Sequence, residues 1–89
     1  MIITTTQTLQ GYEIVEYLGI AQGIGVNYNS TGMSGKTGAK MWNKAMAEVT
    51  ASLEANASEM GANAVIGMAY FQEKSMCYVY GTAVKIKKI

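Results

Sequence analysis

"MGANAVIGMAY", residues 60–70, joins two kinds of periodicity, and its reading decides the fold. Upstream of it, Trp42, Ala45, Met46, Val49, Leu53, Ala57 and Met60 recur at helical spacing. They follow the i, i+3, i+4, i+7 template of an amphipathic helix. Lys40, Lys44, Glu48, Ser52, Asn56 and Glu59 fall largely on the other side, so the helix has one apolar stripe. The spacing predicts a helix over about residues 39–60, with Gly61 as its C-terminal stop. Ala62-Asn63 then turn the chain. "AVIGMAYF", residues 64–71, holds no charge and reads as a strand covered on both faces.

A second strand, "MCYVYGTAVKIKKI" (76–89), follows "QEKS" (72–75). The two predict a β-hairpin. A turn centred on Glu73-Lys74 sets Phe71 opposite Met76, Ala69 opposite Tyr78 and Gly67 opposite Tyr80. The other face then carries Ile66, Met68, Tyr70, Cys77, Val79, Gly81 and Ala83. That face is assigned to the helix, with Gly81 and Ala83 admitting a close approach. The face of Tyr78 and Tyr80 needs another cover, and a neighbouring subunit is the simplest one.

Toward the N-terminus, "IITTT" (2–6) is β-branched throughout and favours a short strand. "QTLQG" (7–11) is a turn. "YEIVEYLGIAQGIGV" (12–26) alternates roughly, slips around Glu16 to Leu18, and is interrupted by Gly19, Gly23 and Gly25. Glycines inside a strand mark bulges or bends, so this is one long bent strand or two in succession. "NYNSTGMSGKTGAK" (27–40) is a polar loop. The expected architecture is one α+β domain over residues 1–89: an antiparallel or mixed sheet with one helix, in the order β-β-α-β-β.

Composition bounds the function. Of the 89 residues, 49% are apolar and 15% charged, against the roughly 25% charged content of ordinary domains. Such a surface suits faces covered by other copies. The net charge of +1 offers no strong field for nucleic acid. No stretch approaches the length of a bilayer span, and "MIITTTQTLQ" lacks the build of a signal peptide. The expectation is a soluble, cytoplasmic chain with no nucleic-acid or membrane partner.

The chain has no His, Asp, Arg or Pro. Without His, the usual general base near neutral pH is missing, and Ser-His-Asp or Cys-His triads cannot be built. The reading is a non-enzymatic protein without an evident cofactor. "STGMSGKTGAK" (30–40) imitates half of a phosphate-binding loop, but Ser30 stands where its first glycine belongs. Lys36 and the amides of the helix start remain a candidate anion site. Cys77 and Met76 are the candidate ligands for a soft metal ion, although neighbours on a strand point to opposite faces. Glu13 and Glu16 also fall on opposite sides of a regular strand; Glu16, between Val15 and Tyr17, reads either as a buried acid or, as the favoured reading, as a strand-edge acid bonded to backbone or to a lysine.

The Thr-Thr-Thr start, "IVEYLGI", "GANAV" and "GTAV", in that order, resemble motifs of the YbjQ-like proteins, a small bacterial and archaeal family described as heavy-metal-binding. The likeness covers residues 1–23 and about 40–86. It implies an α+β subunit of a ring-like homo-oligomer, typically a pentamer. Thr4, Thr5, Glu16, Asn63 and Thr82 match family motif positions; of these, Thr5, Glu16 and Asn63 join Lys36 as candidate ligand-binding residues. Family members usually carry a longer, charged segment before the helix than this chain's "NYNSTGMSGKTG".

Overall fold

Two bends in the backbone and one helix stop organise the chain. The computed structural model describes residues 1–26, 35–73 and 76–89, apart from the side chains of residues 26, 35–43 and 45. Its elements are β1 (Ile2–Ile3), β2 (Tyr12–Val26), α1 (Gly35–Glu59), β3 (Ala64–Glu73) and β4 (Met76–Lys88). The β-β-α-β-β order agrees with the sequence reading. The sheet has the order β1-β3-β4-β2, with β1 parallel to β3 and the other pairs antiparallel.

α1 starts at Gly35, about four residues earlier than expected. Gly and Thr weaken a helix by only ~1 kcal/mol each, so a polar, glycine-containing first turn does not prevent it. Residues 27–34 of the loop predicted at 27–40, and the Trp42 and Ala45 side chains of the stripe, lie outside the described residues. The described stripe behaves as its period requires: Val49, Leu53 and Ala57 are fully buried. The helix ends where Gly61 takes φ +89°. Gly61 N–H donates to Ser58 O at 3.0 Å and Ala62 N–H to Ala57 O at 3.0 Å. These paired bonds satisfy the last carbonyls of the helix.

β1 stops at Ile3 rather than Thr6. The chain bends there but stays bonded to β3: Thr4 N–H donates to Val65 O (3.0 Å), Met68 N–H to Thr4 O (3.0 Å), and Gly67 N–H to Thr6 O (2.8 Å). β2 is a single strand with irregularities between Ile14 and Glu16 and between Tyr17 and Gly19.

The hairpin pairs Phe71 with Tyr78, Ala69 with Tyr80, and Glu73 with Met76. Opposite partners are therefore shifted by two from the expected register, and Lys74 of the predicted turn lies outside the described residues. A shift of two keeps each side chain on its face. Ile66 is the exception. A bulge between Ile66 and Ala69, with Gly67 at φ +60°, reverses the alternation. Val65 joins Leu53, Ala57, Cys77, Val79 and Ala83 beneath the helix. Ile66 instead joins Ala64 and Val84 on the far face, against Ile2, Leu9 and Ile14.

The expected close approach of the helix over Gly81 is also corrected. A Cβ on Gly81 would meet Val65 Cγ1 at 2.6 Å, a neighbour from β3. The helix comes closest at Gly23 of β2, where a Cβ would stand 2.5 Å from Val49 O and 2.6 Å from Leu53 N.

Candidate functional site

Because α1 seats its backbone on Gly23, it lies over β2, the outermost strand of the sheet. An edge strand leaves N–H groups without ladder partners. Two helix side chains one turn apart take them. Gln22 N–H donates to Asn56 Oδ1 at 2.8 Å, and Ile24 N–H donates to Ser52 Oγ at 3.2 Å. Ser52 and Asn56 had been placed with the solvent side of the helix. They are half-buried, each one residue before a stripe member, and serve as caps on the strand. The available signal was that i, i+4 spacing of short polar side chains beside the stripe.

Below these caps opens a cleft of 480 Å³, lined by Gln22, Gly23, Ile24, Ser52, Asn56 and Tyr78. Tyr78 reaches it from β4, opposite Ile24 in the ladder. Among the described residues, none that lines it carries a formal charge.

The other candidates lie apart from it. Cys77 is fully buried in the core beneath the helix. Tyr70 Oη donates to its Sγ at 3.0 Å. Partial burial, with that hydrogen bond, pushes the Tyr70 phenol up to about 12. Met76 pairs with Glu73 and Val26 on the opposite side of β4.

Glu16 is exposed and faces Lys85, in agreement with the strand-edge reading and against the buried acid. The irregularity after Ile14 also removes the expected opposition of the two acids. Glu13 pairs with Lys87 and Glu16 with Lys85, two residues apart on β4, so both acids share a face. Lys87 Nζ lies 3.0 Å from Glu13 Oε1 and Lys85 Nζ 3.8 Å from Glu16 Oε1. Exposed pairs of this kind contribute ~0–1 kcal/mol.

Asn63 brackets the backbone of β4: its Nδ2 donates to Ile86 O at 3.0 Å and its Oδ1 accepts Ile86 N–H at 2.8 Å. Thr5 is exposed in the bend after β1. The Lys36 side chain lies outside the described residues. Eight residues of β4 separate Cys77 from the Lys85 and Asn63 end of the sheet, roughly 26 Å. The structure does not gather the described candidates into one site.

A four-stranded mixed sheet with a single helix over its edge defines a small α+β domain. A family model described as "Putative heavy-metal-binding" matches residues 1–87. The chain belongs to this family, the YbjQ-like proteins. It is 35% identical to a "UPF0145 protein" of Thermosipho africanus, over 99% of this chain and 97% of that one. It is 38% identical to a "UPF0145 protein" of Actinobacillus pleuropneumoniae serotype 5b, over 98% and 100%. In fold it is similar to a crystal structure of a protein with unknown function from Pediococcus pentosaceus, with a TM-score of 0.64, 20% identity and 98% of each chain covered.

The family description calls for a test of the donor set. A heavy metal needs several soft donors that converge. Among the described residues no group of three or more His, Cys, Asp or Glu does so. Cys77 accepts a hydrogen bond inside the core, and Met76 is on the other side of its strand. These residues do not fit a heavy-metal centre within one chain. Among the described residues, no helix is long and apolar enough to cross a membrane.

Proposed function

We propose that this protein is a non-enzymatic binding or scaffold subunit that works as a homo-oligomeric ring in the cytoplasm. One observation carries the reading: half of the sheet face opposite the helix is bare and apolar. The N-terminal segment covers the part around Ala64, Ile66 and Val84. Beyond it, Tyr17, Ile20, Phe71 and Tyr80 are each about half exposed or more, Ile20 at 76%. Phe71 packs edge-on against Tyr80 with ring centroids 5.9 Å apart, so the patch is preformed rather than loose.

Patches of this kind on small chains are interaction surfaces. Shape supports the same reading. The radius of gyration is 14.5 Å, against about 12 Å for a compact domain of this length. A layer that thin gains most by sharing its bare face with another copy.

Light scattering on a sizing column across a dilution series tests this. The expected result is a stable multiple of the 9.5 kDa chain, five by the family resemblance, which Ile20→Lys with Tyr80→Glu converts to a folded monomer. A wild-type monomer at every concentration overturns it.

A further inference from the structure

The cleft at the edge of β2 selects its occupant by chemistry. Its 480 Å³ lies within the ~300–1,000 Å³ of small-molecule sites. The described lining residues offer no counter-charge, so an ion held by them would lose hydration without compensation. Two of the polar groups are fixed by hydrogen bonds to β2. Because Asn56 Oδ1 accepts the N–H of Gln22, the amide's orientation is set and its NH2 end is presented. Because Ser52 Oγ accepts the N–H of Ile24, its O–H is left to donate. Tyr78 adds a hydroxyl and Gln22 a carboxamide. The set is rich in donors, and Ile24 with the Tyr78 ring forms an apolar wall for a flat molecule.

We infer that this cleft binds an uncharged, planar small molecule bearing carbonyl acceptors, of the cyclic amide and imide class. The inference gives the binding role proposed above a ligand class and rests on that reading. Assembly is read separately, by mass, so a failure of one is distinguishable from a failure of the other.

The test is a titration of the assembled protein with uracil, followed by backbone amide resonances, with sodium acetate and ammonium chloride as charged controls. The expected result is saturable shifts at Gly23, Ile24, Ser52 and Asn56, with a dissociation constant of about 1 mM or tighter. Uridine monophosphate should bind no tighter than uracil, because the cleft has nothing for its phosphate; tighter binding would point to a nucleotide and overturn the assignment.

Asn56→Asp keeps the acceptor for Gln22 N–H, removes the NH2 donors and adds charge. It should weaken uracil at least tenfold. Tyr78→Phe, which leaves the helix–strand contact untouched, should weaken it several-fold and serves if the first variant unfolds. Shifts confined to the Ile20–Tyr80 patch, no saturable shifts, or unchanged affinity in the folded variants overturn the inference.

Discussion

The carbonyl oxygen of Val49 lies 2.5 Å from the point where a Cβ on Gly23 would stand. Helix backbone touches strand backbone there, and the helix rides directly on the sheet edge. Gly23 is not in the left-handed region, so its need for glycine is purely steric. Gly23→Ala should destabilise the fold by about 2 kcal/mol or more, at the upper part of the overpacking range. That corresponds to a melting temperature lower by roughly 10 °C, read by circular dichroism. A variant as stable as wild type would mean that the helix does not seat on β2.

Asn63 makes its case by contrast with a ligand-binding role. Two hydrogen bonds to the backbone of Ile86 occupy its amide, so the residue ties the turn after α1 to β4. Asn63→Ala should cost about 2 kcal/mol, near 1 for each bond. Asn63→Asp keeps the acceptor for Ile86 N–H but turns an oxygen toward Ile86 O, and should also destabilise. Urea unfolding curves of both variants measure the effect.

The helix, its stop and the order of elements along the chain were legible because each rests on local pattern. Val49, Leu53 and Ala57 repeat at the helical period, and Gly61 supplies the positive φ that ends the helix. What the pattern could not show was where alternation breaks. A bulge changes which face every later residue occupies. One after Ile14 brings Glu13 and Glu16 to the same face, and one at Gly67 sends Ile66 away from the helix. The caps were hidden for another reason. Ser52 and Asn56 have the polarity of a solvated face, and only the tertiary position of β2 as the edge gives them N–H groups to accept. The candidate cleft, made by those caps, was therefore not readable in advance.

Tyr70 and Cys77 predict a titration. Partial burial and the hydrogen bond to Cys77 raise the phenol from its ordinary 10.0 to about 12. The folded state therefore holds this proton more tightly than the unfolded state. Stability from this group is present below pH ~10 and is lost as pH rises from about 10 toward 12. An absorbance titration of the folded protein should show a tyrosine step near pH 12, and Tyr70→Phe should remove that late step. A late step that survives in Tyr70→Phe would assign it to another tyrosine.

Cys77 supplies the sharpest check on metal chemistry. Its side chain is fully buried and its sulfur accepts the Tyr70 hydroxyl, so reagents reach it only when the core opens. A disulfide reagent should label the native protein slowly, at a rate that rises with urea, and the unfolded protein at once. A resident metal would stabilise the fold by mass action. Cadmium or copper(I) at ten equivalents should therefore leave the melting temperature of wild type unchanged, with Cys77→Ser as the matched control. A rise of several degrees in wild type, absent in Cys77→Ser, would show that copies of the chain bring further donors to this thiol and would move the metal site to the subunit interface.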